Sequence, residues 1–286
     1  MRGKITTLFL AFAVLWTWTS CDRGRTQSAL EPADTLSLED TLDIDTIGFF
    51  PEEDEGLSLD NHESEVFGDF IFAFTHNGRF QAERIRFPLP VTDFDGTERV
   101  IRSGRQFRDE FQLPGNDYYT LILGDRSQMD IFQNDSSLTD VALQSLDLPN
   151  QTMVSYNFTR TDGRWYLTSR THTPLSPKLT DFLQFYDQFT TDTLFQQESI
   201  AEQLIFTMED PDEEEGEDIQ GTIDRGQWPV FRPEMPSGRF VNIDFGQPIP
   251  NPHRIHLLQC GISNGMLDIF TFHQHDGHWQ LISFEN

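Results

Sequence analysis

Five histidines, His253, His256, His273, His275 and His278, stand close together near the end of the chain. Imidazoles two apart on a strand share one face, as metal ligation requires. His275 and His278 correspond, however, to Thr161 and Arg164 of an earlier segment at what reads as a hairpin tip. A solvated turn accounts for them, and neither a metal centre nor a cofactor is expected. The run from Glu209 to Asp218 is mostly acidic but lacks the alternating Asp order of a calcium loop, so it reads as a flexible loop. Asp69, Glu83 and Glu198 are carboxylates of the kind that serve as bases in a cavity. Their helical positions read instead as solvent-facing. Cys260, among Ile255, Leu257, Leu258 and Ile262, reads as a small buried hydrophobe rather than a nucleophile. No catalytic residue is assigned. Trp228, Phe231, Tyr118 and Tyr119 offer the remaining chemistry: exposed, such rings form a binding surface for a sugar or a protein; buried, they pack against a sheet edge.

The elements that must position these residues occur twice. Phe67, Phe70, Phe74, Phe80, Gln81, Glu83 and Ile85 recur 115 residues later as Phe182, Phe185, Phe189, Phe195, Gln196, Glu198 and Ile200. Phe158, Asp162, Gly163, Trp165, Leu167 and Ser169 recur 114 residues later as Phe272, Asp276, Gly277, Trp279, Leu281 and Ser283. Matches at constant spacing are the mark of an internal repeat. The three-then-four Phe spacing predicts one helical face, and Phe80 with Ile85 a second short helical segment. Strands follow over 119–123, 141–148, 153–160 and 164–170 in the first copy, and over 240–245, 254–260, 266–275 and 278–284 in the second. Asp162-Gly163 and Asp276-Gly277 predict two-residue hairpin turns. These turns set Phe158 opposite Leu167 and Phe272 opposite Leu281, on an apolar face that covers the helices.

Ahead of the repeat, Arg2 and Lys4 precede an apolar run from Leu8 to Trp16 that is too short for a permanent membrane helix and reads as a signal peptide. It ends in Trp18-Thr19-Ser20-Cys21, which resembles the bacterial lipobox with Trp18 in place of the usual Leu. The resemblance implies lipidation of Cys21 and an anchor of two or more acyl chains; an ordinary signal peptide cut near Cys21 is the alternative. Lipidation would leave Cys260 without a disulfide partner. Residues 22–62 are poor in aromatics and rich in Asp, Glu, Ser and Thr, too polar to offset ordering entropy, and read as an extended tether. Thr35, Thr41 and Thr46 lie in Asp-Thr-aliphatic triplets that resemble the O-glycosylation acceptor of Bacteroidota envelopes.

Charge is segregated. Residues 66–175 carry 14 acidic against 11 basic side chains, whereas residues 176–286 carry 19 against 5, within a net charge of −27. With no basic stripe, nucleic acid is an unsuitable partner.

Two helical segments followed by long antiparallel strands, in about 110 residues, resemble the ketosteroid-isomerase or SnoaL-like cone fold. The whole chain also resembles an uncharacterised family of Bacteroidota lipoproteins with duplicated domains of this shape, through the lipobox, the tether and the segments Phe80 to Ile85 and Phe195 to Ile200. A cystatin-like helix-on-sheet arrangement is the nearest alternative. The expected organisation is an α+β chain: signal peptide 1–20, acidic disordered tether 21–62, and tandem cone-like domains 63–175 and 176–286, each with N-terminal helices packed on a curved antiparallel sheet. The function expected is that of a noncatalytic lipoprotein of the cell envelope, in the outer membrane. The lipid joins it to the membrane, and its domains bind an unidentified ligand, envelope protein or glycan. A small-molecule isomerase or hydrolase using one cone pocket, and a structural spacer or assembly subunit, are the competing readings.

Overall fold

The computed structural model describes residues 65–134, 137–209, 218–262 and 264–286. Cys21, Thr35, Thr41, Thr46, the signal and tether segments and most of the acidic run lie outside them. The first half contains α1 (Phe67–His76), α2 (Gly78–Glu83), β1 (Leu89–Thr92), β2 (Glu98–Ile101), α3 (Gly104–Glu110), β3 (Tyr118–Leu123), α4 (Gln128–Asn134), β4 (Asp140–Asp147), β5 (Thr152–Thr161) and β6 (Arg164–Pro174). The second contains α5 (Thr180–Thr191), α6 (Thr193–Glu198), β7 (Ile200–Glu209), β8 (Asp218–Asp224), a 3-10 turn (Arg225–Gln227), α7 (Trp228–Phe231), β9 (Arg239–Asp244), β10 (Arg254–Gly261), β11 (Leu267–His275) and β12 (His278–Glu285). The chain is α+β, with few helices on a large curved sheet.

The repeated residues do the same work in both halves. Asn77 accepts hydrogen bonds from the amides of Arg79 and Phe80 at 3.0 Å each, and Asp192 does the same for Leu194 and Phe195 at 2.9 and 3.1 Å, so each second helix starts on a side-chain cap. Buried Gln81 donates through Nε2 to the Phe74 carbonyl at 3.2 Å, and Gln196 to that of Phe189 at 3.0 Å, satisfying an orphan acceptor at the end of each first helix. Ile85 lies beyond its helix, in a parallel bridge with Leu167, matched by Ile200 with Leu281. Phe158 meets Phe74 edge-on at 5.1 Å and 90°, and Phe272 meets Phe189 at 5.4 Å and 88°. Trp165 and Trp279 stand against Phe67 and Phe182 at 5.1 and 5.2 Å. Asp162 and Gly163 turn at φ 51° and 78°, and Asp276 and Gly277 at 49° and 79°, the positive pair a tight right-twisted hairpin demands. Phe158 pairs with Leu167 and Phe272 with Leu281, as predicted.

The twelve strands among the described residues join one sheet in the order β2-β1-β6-β5-β4-β9-β3-β10-β11-β12-β7-β8. The halves exchange a strand: β9 of the second lies antiparallel on β4 of the first, and β3 of the first lies antiparallel on β10 of the second. Where β3 and β9 meet, Thr120 faces Asn242. Neither half closes its sheet with its own third strand, so each aromatic core contains side chains of both. Val241, Ile243 and Phe245 pack into the core beneath α1, and Tyr118 and Ile122 into the core beneath α5.

Candidate functional site

The place where the first two helices of each half meet the final hairpin shows what the duplication has changed. Leu167 donates its amide to the Arg84 carbonyl at 2.8 Å, and Leu281 donates to that of Ser199 at 2.9 Å, so Arg84 and Ser199 hold the same position in the two halves. In the first half this position is filled. The Arg84 guanidinium donates to both Glu65 carboxylate oxygens at 2.6 and 3.0 Å and to the Trp165 carbonyl at 3.3 Å. Its Cζ lies 4.7 Å from the centroid of Phe80, 5.7 Å from Tyr166 and 5.9 Å from Phe70. The Arg84 and Glu65 side chains are 8 % and 10 % exposed, and Phe70 beneath them 1 %. Planar guanidinium charge is held here by a bidentate carboxylate and aromatic faces together.

In the second half the same place is an open cleft of about 650 Å³. Ser199 replaces the arginine and Gln280 replaces Tyr166; Phe195, like Phe80, is partly buried, and Phe185 is partly exposed where its counterpart Phe70 is fully covered. Their ring centroids stand 5.7 Å apart at 57°, against 5.9 Å and 54° for Phe70 and Phe80, so the aromatic surface is kept and its cover removed. Asp181 and Glu198 line the cleft. Asp181 Oδ2 accepts hydrogen bonds from Trp279 Nε1 at 3.0 Å and Gln274 Nε2 at 2.9 Å, which fixes its carboxylate at the cleft. Among the described residues neither Asp181 nor Glu198 pairs with a cationic side chain. His275, Asp276 and His278 of the hairpin tip form the rim.

A second depression, of about 420 Å³, is lined by Phe111, Gln112, Leu113, Pro114 and Arg239. Arg239 there is drawn to Asp147 at 3.5 Å.

The aromatic residues singled out from sequence fall elsewhere. Trp228 is fully buried, edge-on to Phe284 at 5.8 Å, closing the end of the second core. Tyr118 is buried too, its hydroxyl accepting from Asn116 Nδ2 at 3.1 Å and pushed up to about 12 by desolvation. Tyr119, on the opposite face of β3, is half-buried in the other core. Only Phe231, 53 % exposed beside Val230, is open to solvent. The four therefore form no common surface: alternation along β3 sends the tyrosines to different cores, and a one-turn helix tucks Trp228 under the sheet.

The histidines do not converge either. His256 is buried and bonded through Nδ1 to Thr271 Oγ1 at 3.0 Å, and His253 contacts Gln274 Oε1 at 2.7 Å. Among the described residues no group of three His, Cys, Asp or Glu is placed to hold a metal ion. Asp69 and Glu83 are exposed, Glu83 lying 3.4 Å from Arg79, while Glu198 lines the cleft. Cys260 is buried and its thiol pushed up to about 12 by desolvation, as a hydrophobic role requires. Sequence reasoning missed Glu65, Arg84 and Asp181. The signal for them is a mismatch inside the repeat, Arg84 against Ser199.

Helices laid on a large curved sheet with an open cleft place the chain among NTF2-like cone folds; the sheet is mixed rather than antiparallel as expected, since β1 runs parallel to β6, β7 to β12 and β3 to β9. It is similar to an NTF2-like protein from Bacteroides fragilis of known crystal structure, at 31 % identity and a TM-score of 0.69, covering 78 % of this chain and 96 % of that one. Residues 54–286 match the family model described as domain of unknown function (DUF4348), and the chain belongs to that family. No curated protein matches it.

Proposed function

We propose that this protein is a noncatalytic binding protein of the bacterial envelope, anchored through lipid on Cys21, with the second-half cleft as its binding site. One observation carries the reading: the first half seals a position with its own Arg84 and Glu65, and the second half leaves the equivalent position open over preserved aromatic walls. Burying rings is favourable, and leaving Phe185 partly exposed where Phe70 is buried forgoes part of that gain. Retention of such surface is the pattern of a ligand site. Titratable groups displaced by burial, such as His256, Cys260 and Asp268, sit in or near the cores and do not line the cleft, which favours binding over acid–base chemistry.

The anchoring part rests on the signal segment and Trp18-Thr19-Ser20-Cys21. Expressed in a bacterial host and fed a labelled fatty acid, the wild-type chain is expected to carry label and partition with outer membranes, whereas Cys21→Ser should carry none and appear in the soluble fraction. Equal partitioning of both would remove the anchor from the proposal. For the binding part, solvent-exchange protection of α5, α6 and the β11–β12 hairpin in the presence of an envelope extract is the expected outcome. Protection confined to other surfaces would move the site.

A further inference from the structure

We infer that the cleft binds the guanidinium group of an arginine supplied from outside the chain, taking the place that Arg84 fills in the first half; this deepens the binding reading above and rests on it. The repeat itself supplies the argument. The Arg84 guanidinium is held by three kinds of contact: the rings of Phe70, Phe80 and Tyr166, the Glu65 carboxylate, and the Trp165 carbonyl. In the second half the ring pair is rebuilt to within 0.2 Å and 3° by Phe185 and Phe195. A carboxylate is again tied to the repeat tryptophan, although by a different route: Trp165 Nε1 donates to the Glu65 backbone carbonyl at 3.1 Å, whereas Trp279 Nε1 donates to the Asp181 carboxylate. Glu198 adds a second negative charge on the wall. Among the described residues no cationic side chain fills this place in the second half.

Charge favours the same ligand. The half that keeps the plug has 14 acidic and 11 basic side chains, and the half with the open cleft has 19 and 5, so its field draws cations and repels anions. A planar guanidinium fits two inclined rings and a carboxylate better than a compact ammonium, which stacks less well and prefers its hydration shell. An arginine of a partner protein and a free guanidinium metabolite share this chemistry.

The test titrates the detergent-solubilised mature protein at about pH 8. The probes are N-acetyl-arginine amide, the same probe with neutral citrulline in place of arginine, and a short arginine-containing peptide, read by the Trp279 amide and indole resonances. Arginine amide should bind saturably, with a dissociation constant on the order of 1 mM for a single side chain, and citrulline amide should bind at least about tenfold more weakly. Glu198→Gln, at an exposed position with no cationic partner among the described residues, should weaken arginine binding about threefold to fivefold. Ser199→Arg should install the first-half plug and abolish binding, with unchanged resonances in the first half showing that the variant is folded. Peptide binding tighter than arginine amide would identify a protein side chain as the source; equal binding would identify a free guanidinium compound. If citrulline amide binds as well as arginine amide and Ser199→Arg removes both, the cleft stands as a site and the guanidinium assignment falls. If no probe shifts Trp279 at about 20 mM, the guanidinium assignment falls, and the exchange-protection experiment above decides the binding reading separately.

Discussion

Thr120 and Asn242 face each other where the two halves cross, the Thr120 hydroxyl lying 3.1 Å from Asn242 Oδ1 and 3.0 Å from the Val241 carbonyl. Asn242 Nδ2 continues the row to Gln144 Oε1 at 2.9 Å, and Gln144 Nε2 reaches Asp244 Oδ2 at 3.2 Å. Thr120, Asn242 and Gln144 are buried, so this is a polar seam inside an apolar sheet. Such a seam fixes register, because a one-residue slip would leave buried amides unpaired.

Replacing Thr120 by Val keeps the shape and removes the hydroxyl donor. Asn242 Oδ1 and the Val241 carbonyl then lose a partner away from water, which costs about 1–3 kcal/mol. Urea unfolding should show this as a lower midpoint with an unchanged slope. A stability equal to wild type would mean that the seam contributes nothing to the exchange of strands.

Arg84 and Glu65 are a buried pair, and breaking it should cost far more than removing it. Arg84→Ala leaves the Glu65 carboxylate without its cation and uncovers Phe70 and Phe80, for an expected loss of about 3–5 kcal/mol. Adding Glu65→Gln and changing Arg84 to Met instead should recover most of that loss, since a desolvated ion pair is little better than packed neutral side chains. Denaturant melts of the two variants compare these directly.

Much of this fold could be read in the chain because its signals are local. The Phe spacing placed α1 and α5, and the two Asp-Gly turns placed the last hairpins in the register observed. The strand exchange could not be read, since β3 and β9 are both six residues long and buried along most of their length, and nothing local decides which pairs with β4 or β10. Strands β1, β2, β7 and β8 also escaped: β1 carries Pro90 and has four residues, and β7 and β8 flank the acidic run in a stretch where no strand was assigned. Whether Trp228 packs inward or faces solvent is not legible in Trp-Pro-Val-Phe, which lacks any period; the structure buries it in a one-turn helix closed by the Arg232 amide on the Trp228 carbonyl at 2.8 Å. The cleft was hidden for a different reason. Identities between copies mark what both need for folding, while Arg84 against Ser199, a mismatch, marks where they diverge in use.

His256 should make stability depend on pH below neutrality. Burial, followed by the charges of Arg254 and Arg126 and opposed by Asp125, pushes its imidazole down to about 4. An unfolded histidine takes up its proton near pH 6.5, so below that value the unfolded chain gains a proton that the folded one refuses. The contribution is complete above about pH 7 and is lost as pH falls toward 4. At about pH 4.5 the wild type should have lost about 2 kcal/mol relative to His256→Gln, measured as the difference between their urea stabilities at the two pH values. Parallel pH profiles would show that the imidazole is not desolvated.

Cys260 tests whether the halves open together. It pairs with Tyr119 across the β10–β3 junction, on the strand that the first half lends to the second. Its thiol, held near 12 by burial, should react with a disulfide reagent at about pH 8 at least about a hundredfold more slowly than a free thiol, so that labelling reports opening of this junction. Were each half to unfold by itself, β3 would peel from β10 at a free-energy cost well below that of the whole protein. Because β9 is simultaneously held by β4 and β3 by β10, freeing either half requires breaking both junctions. In a Cys21→Ser chain, the opening free energy from labelling should therefore match the global value from denaturant melts to within about 1 kcal/mol, and Thr120→Val should lower both by the same amount. A labelling value several kcal/mol below the global one would show that the exchanged strands do not tie the halves into one cooperative unit.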